Sequence, residues 1–194
     1  MDNLKLSDLC FVSKNAIKVP PSKSYLSENY FYTVSHLLHS LLMSSSNDSA
    51  VALAEAVCKN EKDFVLLMNK KTKKLGAIET KFANASGLPS KEEQYTTVYD
   101  QSIIMSEIIN NPVLIHILNK KSKTIIGTDQ KKIKVYNHNK MLNYNNSFLI
   151  GKTGYTNKAG HCFVGYKTSN TENYDLIFAM LGGNKLWTEV KKMV

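Results

Sequence analysis

Arginine is absent: all 25 basic residues of the 194-residue chain are lysine. Bidentate readout of guanine and tight phosphate clamps lean on arginine's planar fork, so the net charge of +9 does not argue for sequence-specific nucleic-acid binding. The lysine clusters, such as Lys70, Lys71, Lys73 and Lys74, also run without the interleaved aromatics of a single-strand groove. A solvated basic face is expected instead, with no nucleic acid as partner. Cysteine is scarce: Cys10, Cys58 and Cys162 are odd in number and widely spaced, which supports neither a disulfide framework nor a metal knuckle. His36, His39, His116, His138 and His161 are too scattered for ligand spacing, so no metal and no cofactor are expected. No apolar run is long enough to span a bilayer, and Met1 to Leu6 show neither the basic leader nor the cleavage site of a signal peptide.

What remains is the composition of a globular protein, 43% hydrophobic and 21% charged, with length enough for a sizeable core in one domain over residues 1–194. Residues 1–32 read as short extended or irregular pieces, with Leu9 to Val12 strand-like and Pro20-Pro21-Ser22 a break. Leu37, Leu38, Leu41 and Leu42 then recur at helical spacing up to Met43. Ser44 to Asp48 make a polar turn before a second helix over Ala50 to Val57. A third helix is expected over Lys59 to Leu75, capped by Gly76, and a fourth over Val98 to Ile109, closed by Pro112. Strands are expected at Thr124 to Ile126, Ile133 to Tyr136, His161 to Tyr166 and Leu176 to Leu181, and a terminal helix over Leu186 to Val194. Helices first and hairpin-linked strands later define an α+β class, a helical cluster packed on an antiparallel sheet.

Two short motifs carry chemistry. Ser45-Ser46-Asn47 sits at the turn between two expected helices, and Gly151-Lys152-Thr153-Gly154 at the start of an expected strand. Alone, the first is an ordinary helix cap and the second a common string in a lysine-rich chain. Together, in this order, they are two of the three signatures of serine acyl-enzymes of the penicillin-binding and β-lactamase type. The flanking segments Leu41 to Ala54, Phe82 to Pro89, Gly151 to Gly160 and Met180 to Gly183 extend the match. The chain thus resembles the D-alanyl-D-alanine carboxypeptidases over nearly its whole length.

The resemblance implies an incomplete β-lactamase/DD-peptidase-like (transpeptidase) fold. It also implies a serine-type carboxypeptidase that removes the terminal D-alanine of peptidoglycan stem peptides, is inhibited by β-lactams and works outside the cytoplasmic membrane. By the same resemblance, Lys152, Thr153 and Gly154 bind substrate, the first two at its terminal carboxylate. Ser45 relays a proton to the leaving D-alanine, and Asn47 holds the peptide carbonyl and orients a catalytic lysine. The third signature, Ser-x-x-Lys with the nucleophile, does not occur: no serine of the 194 residues is followed three positions later by lysine. An N-terminally truncated, partial catalytic domain is therefore expected, inactive as it stands. The alternative is a non-catalytic module that binds D-alanyl peptides. Glu92 and Glu93, a conceivable deacylation base, are expected to be a solvated loop pair.

Overall fold

The computed structural model describes residues 4–142, 149–168 and 175–193. It opens with β1 (Leu9–Phe11), α1 (Lys14–Lys18) and β2 (Phe31–Thr33). Strands β1 and β2 pair antiparallel with Cys10 opposite Tyr32, both buried. Burial first, and the Asp8 charge second, push the Cys10 thiol up to about 11. The helix α1 was not expected in this stretch. Its five residues are too few for periodicity to register, yet Ser13 caps them by accepting a bond from the Ala16 amide at 3.1 Å.

The helical cluster follows: α2 (Val34–Ser44), α3 (Asn47–Cys58), α4 (Glu61–Leu75), α5 (Val98–Ile109) and α6 (Pro112–Leu118). The expected third helix loses its first two residues, because Lys59 turns left-handed to end α3 and Asn60 caps α4. Gly76 ends α4 at φ +90°, as its lack of a Cβ permits. The expectation for Pro112 is corrected. It does not merely close α5 but opens α6, where a residue without an N–H is tolerated in the first turn. Asn111 caps that helix by accepting bonds from the amides of Val113 and Leu114.

Strands β3 (Ser122–Ile126) and β4 (Lys132–Tyr136) form a hairpin; β5 (Leu149–Thr156), β6 (Gly160–Lys167) and β7 (Leu176–Gly183) form an antiparallel sheet in that order. β5 is an edge strand. It begins two residues ahead of Gly151, so the Lys-Thr-Gly string lies inside the strand rather than at its start. α7 (Leu186–Met193) closes the described chain, and Val194, the expected helix end, lies outside the described residues.

Three apolar clusters hold these pieces together. One joins β1, β2, α1, α2, α3 and the β3–β4 hairpin around Leu37, Tyr32 and Ile125. A second packs α7, through Leu186, Trp187 and Val190, on Leu149, Phe163 and Met180 of the sheet. A third packs Met105 of α5 and Leu118 of α6 against Ile150, with Val164, Tyr166 and Ile177 beside them. The three-stranded sheet is therefore covered on both faces, and Leu42 of α2 touches the first and third clusters alike. This is the expected α+β arrangement of helices on antiparallel sheets.

One polar knot sits inside the helical layer. The Asp48 carboxylate, fully buried, accepts bonds from the backbone amides of Ser24 (3.1 Å), Leu26 (3.1 Å) and Ser49 (2.9 Å). Its position in the first turn of α3 also sets it at the positive end of the helix dipole. Loop 24–26 is thus fastened to the start of α3. Replacing Asp48 with alanine would leave those amides buried and unpaired, and is expected to cost about 3 kcal/mol in urea unfolding. Asp48→Asn, which keeps an acceptor, is expected to lose less.

Candidate functional site

Ser45 and Lys152 lie 107 residues apart in sequence, and the fold brings them into contact. Ser45 follows the last turn of α2 in a left-handed conformation, φ 54° and ψ 40°, with its amide bonded to the Leu41 carbonyl at 3.0 Å. That backbone turn reverses the chain so that α3 starts at once, and it directs the Ser45 hydroxyl toward β5. From β5, the Lys152 ammonium donates to the Ser45 hydroxyl oxygen and, at 2.7 Å, to the Thr153 carbonyl.

The strand is held at this depth by the segment just ahead of it. Asn137 donates to the carbonyls of Leu118 and Lys120 at 2.8 and 3.0 Å. The His138 amide donates to the Met43 carbonyl at 2.9 Å. Buried Asn139 donates to the Leu149 carbonyl at 3.0 Å. In three consecutive residues the chain thus ties α6, the end of α2 and the first residue of β5 together.

Lys152 has no carboxylate within ion-pair distance among the described residues. An ammonium removed from water without a counter-charge loses its proton more readily, and burial lowers the Lys152 pKa from 10.5 to about 8. Close to neutral pH this amine is therefore near its switching point, where a proton can be passed either way. His138, whose side chain is exposed beside this group, is held below the ordinary imidazole value by desolvation first and by the Lys152 charge second.

The remaining expected residues are placed as follows. Asn47 is the first residue of α3 and is buried; its side-chain amide donates to the Pro20 carbonyl at 2.9 Å, while its backbone amide reaches Ser22 at 2.8 Å. It anchors loop 20–22 to the site rather than bonding to Lys152. Thr153 and Gly154 follow Lys152 along the edge strand, Thr153 part-buried and Gly154 exposed. Close backbone approach is imposed by Gly151, not Gly154. A Cβ at 151 would lie 2.4 Å from the Phe163 ring and 2.5 Å from the Val164 carbonyl, whereas one at 154 would meet Cys162 at an ordinary 3.6 Å. Glu92 and Glu93 are exposed in their loop.

Sequence reasoning missed a hydroxyl network beneath Ser45. Ser24 bonds to Ser40 and to Ser46, and Ser49 donates to Ser40, each at 2.7 Å. Ser44 adds a bond to Ser46 at 3.1 Å. Ser46, expected as an N-cap, takes the cap position by its backbone alone, because its hydroxyl belongs to this network. The signal was present in the spacing: Ser40 and Ser44 share one face of α2, and Ser49 lies three residues after Ser46. His138 was also missed, because a lone histidine among asparagines gives no spacing to read.

A left-handed serine at a helix junction is thus set against a lysine on a sheet edge. The sequence profile of the D-alanyl-D-alanine carboxypeptidase family matches residues 1–185, and the chain belongs to that family. It is 29% identical over 192 residues to the D-alanyl-D-alanine carboxypeptidase DacF of Bacillus subtilis, covering 98% of this chain and 49% of that protein. It is 34% identical over 163 residues to DacA of Haemophilus influenzae, covering 83% of this chain and 40% of that one. The chain thus spans half or less of these curated relatives. Among solved structures, it superposes on a D-alanyl-D-alanine carboxypeptidase of Mycobacterium tuberculosis with TM-score 0.89 and 27% identity, over 99% of this chain and 74% of that one. It also superposes on penicillin binding protein 5 of Haemophilus influenzae, with TM-score 0.87 and 29% identity over 98% of this chain and 56% of that one.

Two outcomes follow from the site's geometry. Ser45→Gly and Ser45→Ala both remove the hydroxyl, but only glycine adopts φ +54° without strain. Ser45→Gly is expected to be more stable than Ser45→Ala by about 1 kcal/mol in urea unfolding. For Lys152, the unfolded chain binds a proton up to pH 10.5 while the folded chain releases it at about 8. Between those values the unfolded state holds more protons, so stability rises with pH. Measured against Lys152→Met, the wild-type chain should gain stability steadily from pH 8 to about 10, and carbon-13 NMR of the labelled lysines should show one residue titrating near 8.

Proposed function

We propose that residues 1–194 form the substrate-positioning part of a serine-type D-alanyl-D-alanine carboxypeptidase domain. In this reading the chain holds the terminal D-alanyl-D-alanine of a peptidoglycan stem peptide and, without a Ser-x-x-Lys nucleophile of its own, does not cleave it. The observation that carries the reading is the contact of Lys152 on Ser45, joining the two signature motifs across 107 residues. Membership of the family gives the reaction class, and the edge position of β5 gives a substrate backbone a strand to lie against.

The roles follow from the chemistry of each group. Lys152, charged, attracts the terminal carboxylate, and Thr153 beside it supplies a hydroxyl donor. Ser45, in contact with the Lys152 amine, is the group that would relay a proton to a leaving amine once a nucleophile is supplied from outside these residues. Asn47 acts indirectly, by tying Pro20 and Ser22 to the start of α3 next to Ser45. Acylation itself needs a serine with a base one helical turn away, which is the part these residues do not supply. Family membership favours an extracytoplasmic setting, and no helix of the described residues is long and apolar enough to cross a membrane.

Two measurements on the same sample test this. Calorimetric titration with diacetyl-L-lysyl-D-alanyl-D-alanine should show binding that Lys152→Gln weakens about tenfold, as expected for loss of a charge-assisted bond to a carboxylate. Incubation with a fluorescent penicillin followed by denaturing electrophoresis should leave the chain unlabelled. A covalent adduct would overturn the non-catalytic part of the reading, and failure to bind the peptide would overturn the reading as a whole.

A further inference from the structure

Among the described residues, one buried side-chain polar atom has no hydrogen-bond partner: Nε2 of His39. Buried polar groups are nearly always paired, so an exception on a residue only 6% exposed needs a physical reason. The ring stands on α2, with Nδ1 2.7 Å from the Ser35 carbonyl. A carbonyl can only accept, so Nδ1 carries the hydrogen, and the neutral ring leaves a bare lone pair on Nε2. A second proton would turn that lone pair into a buried donor without an acceptor and would add a charge without a counter-charge. The groups whose charge bears on the ring are Lys123 in β3, Lys120 just ahead of that strand, and His36 one turn earlier on α2. The other elements packed on α2, namely α3, α6, β2 and β4, bring no charged group to bear on it. Burial holds the imidazole below its ordinary 6.5; the Ser35 bond opposes this, and Lys123, Lys120 and His36 add to it.

The stretch on which a charged His39 would push is tied to the rest of the sheet. Asn137 donates through its side chain to the Lys120 carbonyl at 3.0 Å and through its amide to the Lys121 carbonyl at 2.9 Å. The next residue, His138, donates its amide to the Met43 carbonyl, one turn beyond His39 on α2. The residue after that, Asn139, holds the first carbonyl of β5. At the far end of β3, His36 Nδ1 lies 3.1 Å from the Ile126 carbonyl. We propose that His39 is an acid-sensitive latch between α2 and the β3–β4 hairpin: while the ring is neutral the hairpin stays seated, and a proton taken up from water at Nε2 frees residues 120–139 from the end of α2 and loosens the seating of β5, the strand that carries Lys152. The sign follows from linkage. Below about 6.5 an exposed ring takes a proton that the buried ring refuses, so acid favours the open form, and above that value the latch is indifferent to pH. The latch acts on the seating of β5 whichever ligand the site holds.

Amide hydrogen exchange of the full chain, corrected for the pH dependence of free-amide exchange, tests this. Protection of β3, β4 and the His138 amide is expected to be flat above about pH 7 and to fall roughly tenfold between about pH 6 and 5, as for an opening coupled to one proton. His39→Phe, which fills the place of the ring and cannot be protonated, should abolish the fall, whereas His116→Gln, at an exposed position on α6, should leave it intact. Nitrogen-15 NMR of the wild-type histidines needs no variant: the His39 ring of the folded chain should remain neutral, with its hydrogen on Nδ1, at about pH 6. A charged His39 in the folded chain, or protection that does not change with acid, would overturn the latch. A fall that persists in His39→Phe would overturn the assignment to this residue. A fall confined to β3 and β4, with residues 137–139 still protected, would overturn the coupling to β5.

Discussion

The fold is organised around a part-buried ammonium. Lys152 is brought to the end of α2 by the sheet, and nothing of opposite charge among the described residues meets it there; a hydroxyl and a carbonyl do. A group in that position is unfavourable when charged, and a structure retains it only if the surroundings fix its neighbours firmly. The surroundings do so on two sides. The Asn137–Asn139 segment fixes β5 relative to α6 and α2, and the Asp48 carboxylate fixes loop 24–26 relative to α3. Both devices use buried polar groups with satisfied partners, which resist displacement because any movement leaves a donor unpaired.

Much of this architecture was readable in advance. The apolar stripe through Leu37, Leu38, Leu41 and Leu42 marks α2 because one face of that helix meets the first core cluster while also reaching the sheet. The β3–β4 and β6–β7 strands were legible for the same reason: β-branched and aromatic residues stand between clear turn residues. What was not legible depends on contacts over long sequence separation. Pro112 reads as a stop sign in any local window, and only the capping by Asn111 turns it into a start. The brief α1 is too short for a pattern and is stabilised by a cap and by burial of Ala16 against the core.

The site divides in the same way. Its residue types were read from two motifs, because chemistry is conveyed by short strings whose order matters. Its electrostatics were not. That Lys152 differs from the other lysines follows from the depth of β5, and depth is a property of packing. Likewise, Ser44, Ser45 and Ser46 look interchangeable as text. The structure separates them by backbone conformation: Ser45 turns left-handed and faces the lysine, while its two neighbours join the internal hydroxyl network.

Gly151 gives this arrangement a mechanical meaning. Because position 151 has no side chain, the Phe163 ring lies directly on the strand backbone one residue before Lys152. That ring is wedged in turn against Phe178 and, edge-on, against Trp187, with centroids 5.8 Å apart in each case. The aromatic stack fills the space that a side chain at 151 would need, so the packing behind this strand is continuous from Gly151 to Trp187. A change in the size of Trp187, on α7, would therefore be felt by the Phe163 ring that lies on the backbone of the strand carrying Lys152. A residue remote in sequence from both motifs thus belongs to the packing on which the site strand rests.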